Sequence, residues 1–312
     1  MRPGNVHKRL PNTFGRVSGG NAVLIIREAR GNDFDGVYPL LLEFENPNLS
    51  TEHWRQLFID HTGLQNDHFG WVLVDGDDIV GFVSTILSER TIRGEAVRLC
   101  NTSSWIVKPK YRAHSLALHA NVIADKSVTV TNLSPTAQVL KLLEKMGFTL
   151  MDKSERIILP VVSTQTFMDR CEILTKAGTV QGALEGESLR FFRDHQLPFN
   201  HHVLVRTPVG NCYVVMNRSF KTIRGNLRLP FARVHHIGAP EIFVRHLEKL
   251  VLRVAASLKV VAMIVDDRML QGTVPWHSFM RPGGERKAAF RSKRLAAEDI
   301  DGLYTEAVLL NY

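Results

Sequence analysis

Hydrophobic positions change period along this chain, and the changes mark its elements. From Ser103 to Phe148 the sequence is SSWIVKPKYRAHSLALHANVIADKSVTVTNLSPTAQVLKLLEKMGF. Ser103–Val107 alternates apolar and polar residues, which predicts a short strand, and Lys108-Pro109 stops it. Arg112–Asp125 has helical periodicity, and Ser127–Thr131 is β-branched at alternate positions, so a helix and a second strand follow. Val139, Leu142, Leu143 and Met146 then make one apolar helical face ending at Gly147. This is a strand whose carboxyl end feeds a turn suited to an anion at a helix N-terminus.

Upstream, Ala22–Glu28 reads as a strand, and Asp33 is placed to cap a helix that runs to Phe44. Ser50-Thr51-Glu52-His53 opens another helix bearing Trp54, Leu57 and Phe58 on one side. Gly70–Asp75 and Ile79–Leu87 are strands joined by a turn at Gly76-Asp77-Asp78, Ala96–Cys100 is a further strand, and Glu155–Val162 ends this half. The order is β, α, α, β, β, β, α, β, α, β. The fold class is α+β: a mixed, mostly antiparallel sheet flanked by helices.

From Ser163 the chain begins again. Phe167–Ala177 and Gly186–Gln196 read as helices, Val203–Arg206 and Asn211–Met216 as paired strands, and Phe231–Ile237 as a strand. Glu241–Leu258 is an amphipathic helix, Val260–Val265 a buried strand, and Asp299–Leu310 a closing strand. The order repeats that of the first half. The expected organisation is therefore a disordered basic arm over 1–20, one domain over 21–162 and a diverged second copy over 163–312.

Composition narrows the classes without choosing one. The 312 residues, 44% hydrophobic and 22% charged, suit a globular protein with two cores. No apolar run is long enough to cross a bilayer, and the basic N-terminus lacks the apolar segment of a signal peptide. Three scattered cysteines, Cys100, Cys171 and Cys212, argue against a disulfide framework and a zinc cluster, so a reducing cytoplasm is the expected compartment and no metal is expected. A net charge of +8 suits an anionic ligand.

The element order, with Val107, Pro109, Tyr111, Arg112, Ser115 and Ala117 after the strand and Lys145-Met146-Gly147-Phe148 at the later helix end, resembles the GNAT-type acyl-CoA N-acyltransferase superfamily. In that family an Arg or Gln, two residues, Gly, one residue and Gly or Ala bind the pyrophosphate of coenzyme A. Here Ser115 stands where the first Gly is usual. The resemblance implies acetyl-CoA or another acyl-CoA as co-substrate, held by Ile106, Val107, Arg112, Ala113, His114, Ser115, Leu116, Ala117 and Asn132. Small residues at 113, 115 and 117 allow close approach to the backbone, and Arg112 adds charge. It also implies transfer of an acyl group, acetyl being expected, to a small-molecule amine, sugar or hydroxyl acceptor by direct attack.

Two family features are missing. The Tyr that often serves as acid four residues before the helix-ending Gly is Leu143, and the strand before Pro109 carries Asn101, Thr102, Ser103 and Ser104 rather than a carboxylate. Asn101, Ser103 and Ser104 relaying a proton through water, or His235 from the second half, are the candidates for that work. The second half's turn, Ile237-Gly238-Ala239-Pro240-Glu241, lacks the Arg, loses a donor to Pro240 and is not expected to bind coenzyme A. Its expected role is to complete the acceptor cleft, and because tandem halves mimic a dimer, a monomer is expected.

Other residues have plainer readings. One of His235-His236 is expected on each face of its strand, and His119 along a helix surface. Asp266-Asp267 cap a turn or bind a cationic amine. Arg281–Arg294 is expected to be a solvated basic loop. A catalytically silent acyl-CoA-binding or regulatory protein is the alternative function. Nucleic acid ranks last as partner, since the chain lacks interleaved aromatics for base stacking.

Overall fold

The computed structural model describes residues 15–18, 23–168, 170–223, 227–281 and 286–311. In the first half the order is β1 (Gly15–Ser18), β2 (Val23–Glu28), α1 (Phe34–Leu42), α2 (Thr51–Arg55), β3 (Gly70–Asp75), β4 (Asp78–Ile92), β5 (Glu95–Val107), α3 (Ser115–Val122), β6 (Thr129–Asn132), α4 (Ala137–Lys145), β7 (Thr149–Asp152) and β8 (Glu155–Ile158). The second half gives α5 (Thr164–Met168), β9 (Glu172–Leu174), α6 (Ala177–Gly182), α7 (Gly186–Asp194), β10 (Asn200–Thr207), β11 (Gly210–Ile223), β12 (Leu227–Ile237), α8 (Pro240–Arg245), α9 (Leu247–Leu258), β13 (Ala262–Asp266), β14 (Ser278–Met280), β15 (Lys287–Arg291) and α10 (Glu306–Leu310).

Local chemistry explains the joints. Gly76, at φ +62°, turns β3 into β4, and Arg93 and Gly94, at +53° and +80°, form a two-residue turn whose twist suits the β4–β5 hairpin. Gly147 ends α4 at φ +81°, with the Phe148 N–H returning to the Leu143 carbonyl at 3.1 Å. Asp33 precedes α1 as expected but does not cap it through its side chain. Its carboxylate instead accepts two hydrogen bonds from the Arg27 guanidinium at 2.7 Å and one from the Arg30 N–H at 2.8 Å.

The strands form two sheets, ordered β1-β2-β3-β4-β5-β6-β15-β7 and β14-β8-β13-β12-β11-β10-β9. In each, a ladder of antiparallel strands leads to one parallel pair, β5–β6 in the first and β12–β13 in the second. The two sheets then superpose in order, with an exchange. β8, from the first half, lies between β13 and β14 of the second sheet. β15, from the second half, lies between β6 and β7 of the first. The boundary expected near residue 162 is thus crossed in both directions.

Three large groups of apolar side chains make up most of the core. Leu118, Val122, Leu143 and Phe148 pack with Leu73, Val83 and Val130 beneath α3 and α4. Phe243, Leu247, Leu250 and Val254 cover the second sheet with α8 and α9. Between the halves, Phe34, Leu40, Phe58 and Phe82 meet Phe191, Phe192, Tyr213 and Leu303 in one shared core.

Several sequence expectations need correction. Gly15–Ser18 pairs antiparallel with β2, so the arm expected over 1–20 is partly sheet; residues 1–14, 19 and 20 lie outside the described residues. The helix expected over Phe167–Ala177 is α5, β9 and the start of α6, because Glu172–Leu174 find an open ladder on β10. The strand expected at Asp299–Leu310 is a turn followed by α10; a short apolar run buried all round has no periodicity to choose between the two. The basic loop expected over Arg281–Arg294 contains β15, whose Ala288, Ala289 and Phe290 are buried, while residues 282–285 lie outside the described residues.

Candidate functional site

β5 and β6 run parallel only through Leu99↔Thr129, Cys100↔Val130 and Asn101↔Thr131, then part. Beyond Asn101 the β6 side of β5 has no ladder partner among the described residues, and the two strands make a wedge with its apex at Asn101 and Thr131. Just past the apex Ser104 has φ +49°, and the β4–β5 register shifts there, with Ser84 opposite Ser103 but Phe82 opposite Ile106. This bulge reverses the facing of the residues after it. Val97 and Leu99 face away from α3 and α4, yet Trp105 and Val107 turn toward them, and Ile106 joins the core between the halves.

Polar side chains gather on the apex. Thr131 Oγ1 donates to Asn101 Oδ1 at 3.2 Å, and Asn132 Nδ2 donates to Thr102 Oγ1 at 3.2 Å, tying the two strands. Asn101 Nδ2 donates to Glu306 Oε2 at 2.6 Å, and the Ser134 hydroxyl bonds the other oxygen of the same carboxylate. Glu306 is 1% exposed and comes from α10 at the far end of the chain. A carboxylate therefore stands beside Asn101, on the strand that carries none in its own sequence. Ser103 and Ser104 follow Asn101 along β5 with their hydroxyls 3.4 Å apart, and the Ser84 hydroxyl is buried with no hydrogen-bond partner among the described residues.

The turn after β5 is wound into a short helix. Pro109–His114 is a 3-10 helix that runs into α3, and the Ser115 N–H donates to the Arg112 carbonyl. In such a helix N–H groups return to carbonyls three residues back, as the Ser115 N–H does. Arg112, Ala113, Leu116 and Ala117 are exposed, and His114 and Ser115 half-buried. Lys108, Lys110 and Arg112 keep this end of the wedge positive. The Tyr111 hydroxyl anchors it by donating to Asp75 at 2.6 Å.

His119, expected along the helix surface, is instead fully buried. It packs against Trp105 with ring centroids 4.4 Å apart and planes tilted by 35°, and meets the edge of Phe148 at 6.0 Å. Burial lowers its pKa to about 4, so the ring is neutral.

The other candidates are His235 and His236 on β12 and Asp266 and Asp267 at the end of β13. His235 and His236 are both buried. Burial pulls His235 well below the usual histidine range, and no hydrogen bond joins it to Asn101, Ser103 or Ser104 among the described residues. His236 Nδ1 pairs with Asp301 at 2.7 Å, and Arg90 holds the other oxygen of that carboxylate at 2.6 Å. Asp266 accepts from the Arg268 N–H at the head of a turn and pairs with its guanidinium at 2.6 Å, while Asp267 pairs with Arg156 at 2.6 Å. A cavity of about 420 Å³ lies in the second half, lined by Arg245, Glu248, Trp276 and His277 among others, and shares no residue with the apex.

Glu306 could not be singled out in the sequence: it lies about 200 residues from Asn101, in a segment that reads as a buried strand. Trp105 had a readable signal, but its facing depends on the bulge. Among the described residues no group of three or more His, Cys, Asp or Glu could hold a metal ion, and no helix is long and apolar enough to cross a membrane.

No family model and no curated protein matches the chain. Solved structures do. A GCN5-related N-acetyltransferase from Kribbella flavida is 14% identical, with 87% of this chain and 71% of that one aligned at a TM-score of 0.57. One from Anabaena variabilis is 11% identical over 86% and 72%, at 0.55. Saccharomyces cerevisiae N-myristoyltransferase, solved with bound myristoyl-CoA, is 9% identical over 97% and 88%, at 0.53. Together with the two superposable sheets and the parting parallel strands in the first, these similarities show that the chain has the GNAT-type acyl-CoA N-acyltransferase fold, in two tandem copies.

Proposed function

We propose that the protein is an acyltransferase that moves an acyl group from acyl-CoA to an amine or hydroxyl acceptor. The observation that carries this reading is the Glu306 carboxylate at the apex of the β5–β6 wedge, hydrogen-bonded to Asn101 at 2.6 Å. The donor lies along the α3–α4 side of the wedge, its diphosphate against the basic turn at Lys108–Arg112 and its thioester at the apex. Backbone N–H groups near Ile106 and Val107, on the side of β5 that has no ladder partner beyond Asn101 among the described residues, stabilise the oxyanion as the acceptor attacks the carbonyl carbon. The acceptor enters on the opposite face, where the second half closes the cleft around Ser84, Ser103 and Asn101. Glu306 takes its proton, directly or through a Ser103 or Ser104 hydroxyl, and the C–S bond breaks to release the coenzyme A thiolate. Leu143 offers that thiolate no acid, so it takes its proton from water.

Native mass spectrometry with acetyl-CoA and longer acyl-CoAs identifies the retained donor, and release of free thiol against a panel of amines and sugars identifies the acceptor class. Glu306→Gln is expected to lower kcat by roughly 10²–10⁴-fold while donor affinity stays within about twofold. Donor retention without transfer to any acceptor would instead make the protein a silent acyl-CoA binder. Failure to retain any donor would remove the reading altogether.

A further inference from the structure

Trp105 and His119 occupy the α3–α4 side of the wedge, opposite the face on which Asn101 meets Glu306. The bulge at Ser104 turns the indole to that side, where it packs with the layer formed by Leu118, Val122, Leu143 and Phe148. Trp105, His119 and Phe148 form a continuous row of rings from β5 through α3 to the exit of α4. Trp105 itself lies past the last residue at which β5 pairs with β6.

This row is apolar in outline but polar in content. Trp105 Nε1 and both nitrogens of His119 are buried without a hydrogen-bond partner among the described residues. Buried polar groups are ordinarily paired, and three unpaired ones in adjoining rings mark a place where such pairing comes from something other than this chain's own side chains. A neutral imidazole offers one donor and one acceptor, and the indole one donor. An extended chain bearing secondary amides supplies the matching carbonyls and N–H group.

The indole also has the means to move. Ser104, beside it, already holds a left-handed backbone conformation. β5 has no ladder partner on its β6 side from Thr102 onward among the described residues. Trp105 itself is only half-buried, and its indole N–H is tied by no hydrogen bond among them.

We propose that Trp105 and His119 form a plug across the donor channel, which the amide-bearing pantetheine arm of coenzyme A displaces at the indole and then hydrogen-bonds at His119. This rests on the acyl-CoA reading above and adds to it a gate and a residue that reads the arm. It predicts that binding is held back by the fraction of time the channel is closed.

The test uses the full-length protein labelled with 5-fluorotryptophan, whose four tryptophans are Trp54, Trp71, Trp105 and Trp276, with the Trp105 resonance assigned by Trp105→Phe. Coenzyme A and free pantetheine are expected to shift the Trp105 fluorine signal, and 3′,5′-ADP alone to leave it unmoved. By calorimetry, Trp105→Ala should bind coenzyme A roughly tenfold more tightly, and His119→Phe, which keeps the ring stack, roughly tenfold more weakly. Binding by Trp105→Ala alone would support the plug in its strongest form. If the wild type binds coenzyme A with the Trp105 signal fixed and both variants bind as it does, the plug is wrong and the acyl-CoA reading stands. A Trp105 shift with 3′,5′-ADP equal to that with pantetheine would overturn the assignment of the arm. If neither the wild type nor any variant binds coenzyme A, the reading and the plug fall together.

Discussion

Ser104 holds φ +49° without being glycine, a conformation that costs an L-residue about 1–2 kcal/mol. The cost is met by what the bulge achieves, since without it Trp105 would keep the facing of Val97 and Leu99, away from α3 and α4. Ser104→Gly is expected to be neutral or to stabilise the fold by up to about 1 kcal/mol, whereas Ser104→Val should cost roughly 1–2 kcal/mol more than serine. Urea midpoints of the two variants decide this; a valine tolerated as well as glycine would mean the bulge is not held as described.

The buried histidines set a pH dependence. Burial lowers His119 and His202 to about 4. His202 is satisfied as a neutral ring, with Tyr213 Oη 2.7 Å from Nδ1 and the His195 carbonyl 3.2 Å from Nε2. In the unfolded chain both titrate near 6.5, so below that pH the unfolded state binds protons that the folded state refuses. Stability therefore falls as pH drops from 6.5 toward 4, at up to about 1.4 kcal/mol per pH unit for each ring. Glu155 acts in a lower window. Burial would raise it, but Arg233 and Arg281 outweigh burial and hold it at about 2, so its contribution is lost only as pH falls from about 4.5 toward 2. A urea midpoint that stays level between about pH 7 and pH 4.5 would contradict the histidine account.

Among the elements, β8 and β15 are the most consequential and the least legible. Each is short, Glu155–Ile158 and Lys287–Arg291, and each pairs on both sides with strands of the other half. β8 could be read as a strand because Ile157 and Ile158 are β-branched, but nothing local says which sheet receives it. Its place is held by Glu155, 2% exposed and bonded to both Arg233 on β12 and Arg281 after β14. β15 was hidden inside a run of basic residues, and only its Ala-Ala-Phe centre is buried. The β3–β4 hairpin, the β5 stop at Pro109 and the α4 end at Gly147 were plain in the sequence, because turn chemistry is local. The 3-10 helix at Pro109–His114 was not, since the same residues also suit an open cradle.

At the scale of the molecule, the exchanged strands and the core shared between α1, α2, α6 and α7 bind the two halves into one cooperative unit. Residues 21–162 alone would lack the strand between β6 and β7 and would carry β8 with no sheet to join. Urea unfolding of the intact chain is expected to show one transition, coincident by far-ultraviolet dichroism and tryptophan fluorescence. Two separated transitions would mean that each half closes its own sheet.

The sequence by itself determined the element order through most of both halves, the tandem repeat, the strand that ends before Pro109 and the absence of a carboxylate on it. Those features are local, set by periodicity, proline, glycine and side-chain chemistry within a few residues. Tertiary structure alone decided which sheet each terminal strand enters, which way Trp105 faces and that Glu306 reaches Asn101. Each of these depends on pairing partners roughly 100 or more residues apart or on one bulge, and strand pairing across such distances leaves no trace in local pattern.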